Sequence, residues 1–136
     1  MEDRRKIKDI YGYTYIVSDE KLYPLQKWYN QLIDKSISEI TLSDVLRMIR
    51  QKIFVDLAMS KALLFLHENV FAGNAYDGEL LDHLATMDAA FLTPYANALK
   101  DVLLEALENC KTHEWAYDGE KEEFEEILHL LSEKIT

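Results

Sequence analysis

The sequence predicts an all-α chain, a compact helical bundle of about five to seven helices. Three observations point there. After Thr41 the apolar residues Leu42, Val45, Leu46, Ile49 and Ile53 recur at i, i+3, i+4, i+7 and i+11, one face of a helix. Residues 53–66, IFVDLAMSKALLFL, are interrupted only by Asp56, Ser60 and Lys61, and a helix apolar almost all round is normally buried. Two further stretches repeat the helical period: Leu99, Val102, Leu103, Ala106 and Cys110, then Phe124, Ile127, Leu128, Leu131 and Ile135.

The elements follow in order. Residues 7–17, IKDIYGYTYIV, are rich in β-branched and aromatic side chains, and are expected to form a short strand or hairpin broken near Gly12. Such a hairpin is marginal alone and would need the helices behind it. Residues 24–34 suit a first helix, with Pro24 in the first turn and Leu25, Trp28, Tyr29 and Leu32 on one face. Ser36 to Glu39 and Thr41 to Asp44 have capping-box spacing, and the second stands directly before the apolar stripe. The helix over 53–66 is expected at the centre of the fold, closed by Asn69, with VFAGN as a loop after it.

Residues 75–79 and 116–120 both read AYDGE. Each suits the start of a helix, with Asp77 or Asp118 as N-cap and Glu79 or Glu120 in the positive first turn. The tyrosines are expected to pin the chain to the core. Two copies with dissimilar flanks do not make a solenoid. Thr93 and Pro94 are expected to open the next helix, whose outer face carries Asp101, Glu105 and Glu108. Glu122, Glu125, Glu126 and Glu133 line the outside of the last.

A length of 136 residues suits one domain over 1–136. Within it, residues 1–30 are an N-terminal segment with the first helix, 36–88 a helical core and 93–136 acidic helices. The composition, 49% hydrophobic with four glycines and two prolines, is neither disordered nor fibrous. A single cysteine, Cys110, excludes an internal disulfide framework. No apolar run reaches the ~18 residues of a membrane span, and MEDRRKIKD is followed by no apolar leader. A soluble, cytoplasmic protein is expected.

The net charge of −10 is unevenly placed. Residues 1–35 hold seven lysines and arginines against six carboxylates; residues 36–136 hold eight against nineteen. This field disfavours nucleic acid and anionic membrane as partners and speeds encounter with a basic protein.

Little in the chain suggests chemistry. The four histidines form no HExxH, and Cys110 with His113 is half a zinc pair without a second half. Asp77-Gly78-Glu79 lacks the alternating ligands of a calcium loop. No GxSxG, P-loop or GxGxxG occurs, and Cys110 lies on an inward stripe as a small core residue. Neither metal, cofactor nor catalytic residue is expected. Glu105 with Glu108 and Glu122 with Glu126 are like-charge pairs at helical spacing, each costing ~0.2–0.5 kcal/mol. Glutamates early in the last helix recover ~0.3–1 kcal/mol from its dipole. Glu105 and Glu108 lie late in theirs, where the dipole opposes them. The cluster at 120–126 thus needs no function to explain it, while Glu105 and Glu108 hint at a cationic partner. The exposed acidic residues Asp101, Glu105, Glu108, Glu122, Glu125 and Glu126 are the candidate partner-binding residues.

Two segments also carry a family resemblance. The first has Thr41, Asp44, Val45, Arg47, Met48, Ile49, Arg50 and Gln51 in a T-x-x-D-V-x-R-M-I-R-Q helix. The second has Phe71, Ala72, Gly73, Tyr76, Asp77, Gly78, Glu79, Leu80 and Leu81 in an F-A-G-x-x-Y-D-G-E-L-L loop. Together they resemble the small acidic helical immunity proteins of bacterial contact-dependent growth inhibition (CDI) systems. The resemblance covers about residues 36–88, is vaguer toward the C-terminus and does not draw on residues 1–30. The chain departs from it at Phe54, Met59, Ser60 and Val70. It implies a cytoplasmic, non-catalytic protein that binds the cognate toxin domain of a delivered effector, often a nuclease with a basic groove. The motif positions themselves, from Thr41 to Glu79, read as structural. The runner-up is an acidic helical adaptor or regulator of another cellular protein; a weaker third is an enzyme using carboxylates in a cleft.

Overall fold

Capping and burial, rather than propensity alone, place the helices. The structure, a computed structural model, describes residues 4–17 and 21–136. Its α-helices are α1 (Ile7–Tyr11), α2 (Pro24–Ile33), α3 (Leu42–Gln51), α4 (Val55–Glu68), α5 (Glu79–Ala85), α6 (Ala89–Leu92), α7 (Ala96–Asn109) and α8 (Glu120–Ile135). Short 3₁₀ turns occur at Ile37–Glu39 and Thr93–Tyr95. Among the described residues there is no strand, so the all-α expectation is met. The chain folds as two compact units, residues 1–44 and 45–136.

In the first unit the expected strand or hairpin at 7–17 does not form. Its first half is α1, ended by Gly12 at φ 71°, where Tyr13 N–H donates to Lys8 O at 2.9 Å. Residues 13–17 lie outside any helix or strand. The Asn30 amide serves as a strand partner would: Oδ1 accepts from Ile16 N at 2.7 Å and Nδ2 donates to Ile16 O at 3.0 Å. A side chain on α2 thus satisfies backbone groups that a hairpin would have paired. Ile7 is fully buried and its N–H donates to Lys35 O.

Both capping boxes exist. Glu39 Oε1 accepts from Ser36 N at 2.9 Å. Thr41 N donates to Asp44 Oδ2 at 3.0 Å, and Asp44 N to Thr41 Oγ1 at 3.1 Å. Asp44 does more than cap. Its buried carboxylate also accepts from Trp28 Nε1 at 3.1 Å and from Lys35 Nζ at 2.6 Å. Burial alone would push its pKa up, but Lys35, the Thr41 amide and the Trp28 indole together hold it below the usual value. Asp34, between Tyr15, Lys6 and Lys8, is held at about 2.

In the second unit α3 stops two residues earlier than the periodicity indicates. Ile53 N donates to Met48 O at 3.0 Å and Lys52 N to Ile49 O at 3.3 Å, the paired bonds of a Schellman ending. Lys52 occupies its left-handed position at φ 55°, and Phe54 follows at φ 48° as N-cap of α4. No glycine marks this break, and the apolar period continues through Ile53 without a signal that the helix has ended.

α4 is not the central helix. It buries Leu57, Ala58, Met59, Ala62 and Leu66 but leaves Asp56, Ser60, Leu64 and His67 exposed, and among the helices it packs chiefly on α7. The element that α5, α6 and α7 all pack against is α8. The inward stripes of α7 and α8 form, with Leu99, Val102, Leu103, Ala106, Cys110, Phe124, Leu128, Leu131 and Ile135 buried, except that Ile127 is only half-buried at the edge of its stripe. Lys134 on α8 donates to Ala85 O and Met87 O, supplying a cation to the carbonyl end of α5. Thr93 and Pro94 open a 3₁₀ turn, and α7 proper begins at Ala96.

Two outcomes follow. Lys52→Gly should stabilise the protein by ~0.5–1 kcal/mol, because a left-handed position suits glycine; denaturant unfolding reads it, and a loss of stability would show that Lys52 contributes more than backbone. The folded-state pKa values of Asp34, Glu39 and Asp44 are lowered, so their stabilisation is present above the ordinary carboxylate range and is lost as pH falls through the folded values, below about 4. Trp28 fluorescence in acid titration should report this loss, and Asp44→Asn should blunt it.

Candidate functional site

The two AYDGE segments build the most distinctive site, and both lie in the second unit. Each forms a turn opening a helix, α5 or α8, but neither aspartate is the N-cap. That place is taken by Gly78 at φ 85° and Gly119 at φ 97°. The following glutamate folds back over its own loop. Glu79 Oε1 accepts from Asn74 N at 2.8 Å and Ala75 N at 3.0 Å; Glu120 Oε1 accepts from Ala116 N at 2.7 Å. Both glutamates are buried. Burial pushes the Glu79 carboxyl up, but the Ala75 and Asn74 amides outweigh it and the net shift is downward.

The tyrosines do not pin the chain to the core. Both are exposed, and each hydroxyl donates to the carboxylate six residues on: Tyr76 to Asp82, and Tyr117 to Glu123 at 2.6 Å. The Glu123 hydrogen bond, then burial, pushes the Tyr117 phenol up to about 12; burial and Asp82 raise Tyr76 also. The sequence held this signal, since a carboxylate stands six places after tyrosine in both copies, and the sequence reading missed it. The two turns face one another across a cleft of about 200 Å³ lined by these four side chains with Asp77, Glu120, Phe124 and Ile127.

Beneath the turns lies an aromatic set. Phe71 stacks on His113 at 3.9 Å between centroids and meets Trp115 edge-on at 5.5 Å; Phe124 lies 5.3 Å from Phe71 and 5.2 Å from Trp115. His113 Nε2 also meets Asp77 Oδ2 at 2.8 Å, so Asp77 ties the first turn to the second loop instead of capping a helix. Gly78 is required twice over: a Cβ there would lie 2.6 Å from the Phe124 ring as well as at positive φ. Gly73 is required by space, since a Cβ would meet Tyr76 O at 2.1 Å. Arg50 reaches His83 Nε2 at 3.2 Å, Arg47 is half-buried, and Gln51 is exposed at the end of α3. Thr41, Asp44, Gly73, Gly78 and Glu79 thus serve the fold.

The acidic candidates sit elsewhere. Asp101, Glu105, Glu108, Glu122, Glu125 and Glu126 are all exposed, on α7 and α8. Lys111 pairs with Glu108 at 3.1 Å. Among the described residues no group of three histidine, cysteine or carboxylate side chains is placed to hold a metal. Cys110 is buried, its thiol pushed up by burial and donating to Leu107 O. No helix among the described residues is long and apolar enough to cross a membrane.

The Gly78 geometry sets a test. Gly78→Val should cost about 2–4 kcal/mol in denaturant unfolding, from backbone strain plus the displaced Phe124 ring. Gly119→Ala, with open space around it, should cost only the backbone part, about 1–2 kcal/mol. Equal losses would remove the Phe124 contact as the cause.

Comparison with known proteins adds one match. A family model described as CDI immunity proteins matches residues 9–102. No curated protein matches the chain. The matched stretch takes in both motif segments. It also reaches back into α1, a region the sequence resemblance left out, and it stops within α7.

Proposed function

The chain belongs to the family of CDI immunity proteins, and from that membership we infer that it neutralises, in the cytoplasm, a cognate effector whose C-terminal toxin domain is a nuclease. The family works by binding a toxin and not by catalysis, so the exposed surface is where function is to be sought. The single observation carrying this reading is the family match over residues 9–102.

The nuclease assignment is supported by charge. A nuclease needs a basic groove for its polyanionic substrate, and this chain concentrates nineteen carboxylates against eight lysines and arginines in residues 36–136. Asp101, Glu105 and Glu108 on α7, with Glu122, Glu125 and Glu126 on α8, are the face we assign to the toxin. Complementary charge there raises the association rate and discriminates against wrong partners. The cleft between the tyrosines is acidic too, but its carboxylates are engaged with the phenols.

The reading is tested by co-purifying the chain with the C-terminal domain of the effector encoded immediately upstream, and by rescue of cells expressing that domain. A stoichiometric complex with rescue supports it; neither complex nor rescue removes it. Charge reversal of Asp101, Glu105 and Glu108 together should lower the association rate at least ~ten-fold at low salt without lowering the thermal midpoint, since all three are exposed and cations late in α7 suit the helix dipole. Unchanged affinity in a calorimetric titration would take this face out of the interface.

A further inference from the structure

Between α7 and α8 runs an open cleft of about 440 Å³, its floor made by Leu103 and Leu128. One wall is Leu104 and Leu107, which are 67% and 44% exposed. Lys100 and Glu125 are among its polar lining. Single exposed leucines are ordinary. Here two of them, one turn apart, continue the buried stripe of α7 outward into a concave surface.

The charges around the cleft are ordered. On α7, Asp101, Glu105 and Glu108 have the spacing i, i+4, i+7, one stripe that borders Leu104 on the side away from the core. On α8, Glu122, Glu126 and Glu133 form a second stripe, beyond the residues that line the cleft. An apolar centre with a charged rim is the anatomy of a protein interface, and anchors in such centres carry most of the affinity.

We propose that this cleft is the anchor site for the cognate toxin domain: an apolar side chain projecting from a basic surface enters between Leu104 and Leu128, and lysines or arginines around it meet the two acidic stripes. This rests on the immunity reading and names the part of the face that holds the complex together. A second copy of the chain fits poorly, because two such faces would bring like-charged stripes together on molecules of net charge −10.

The test uses the full chain and the recombinant C-terminal domain of the upstream-encoded effector. Leu104→Ser with Leu107→Ser should raise Kd at least ten-fold, chiefly through faster dissociation, with the association rate little changed. Val17→Ser, an exposed apolar residue of the first unit, should bind as the unaltered chain does. If the double variant loses thermal stability, Leu104→Gln alone is read, with the same expectation. Binding of the unaltered chain together with undiminished binding of these variants overturns the cleft assignment and leaves the immunity reading intact. No binding by the unaltered chain overturns both. An unaltered chain that is a dimer in light scattering, dissociated by the double variant, gives the cleft to a second copy and overturns the proposal.

Discussion

The second unit depends on one aromatic contact, the Phe124 ring lying against Gly78. Phe124 belongs to α8 and Gly78 to the turn that opens α5, so this contact fixes two helix starts at once. Around it Phe71, His113 and Trp115 close a set of rings in edge and stacked arrangements, each pair adding ~0.5–1.5 kcal/mol beyond simple burial. The hydrogen bond between His113 and Asp77 then joins the two loops over the rings. A larger residue at position 78 would move the ring, and with it the packing of α8 on α5.

The same turn chemistry is used twice because it answers the same need. A helix start leaves amides unpaired, and here the loop before the helix leaves them too. Glycine takes the left-handed corner, and the next glutamate turns back to accept from the loop. Glu79 satisfies two amides with one oxygen, which is why a carboxylate can be buried there at tolerable cost. The repeat is thus a structural solution, and its exposed tyrosines are its by-product on the surface.

What the sequence made legible was whatever follows from period and capping. The stripes of α7 and α8, the Thr41–Asp44 box and the helix entries of the two AYDGE segments were readable that way, the entries to within one residue, because the caps fall on Gly78 and Gly119 and not on the aspartates. Two features were not. The α3–α4 break uses Lys52 and Phe54 in left-handed backbone, and nothing local distinguishes those residues from helix formers. The 7–17 segment has strand composition, yet its first half is α1 and the Ile16 backbone is satisfied by the Asn30 side chain, a long-range pairing that no local pattern reports. The exposure of the acidic residues was legible, whereas Leu104 and Leu107 lie off the inward stripe and only the packing of α7 shows that they are exposed between core and acid.

The surface charge now has an energetic meaning. In α8 the glutamates at 120, 122 and 123 stand in the first turn, where the helix dipole repays their mutual repulsion. In α7 the dipole does not repay it: the first turn has no carboxylate and the last turn no cation, while Glu105 and Glu108 stand near the negative end. Lys111 offsets one of them through an exposed pair, a contribution of at most about 1 kcal/mol. The free protein therefore holds an unfavourable charge arrangement beside an exposed apolar cleft. A basic partner relieves the first and covers the second in a single docking event, so both costs of the unbound state become gains on binding. That coupling is the physical case for the proposal that α7 forms part of the toxin-binding side.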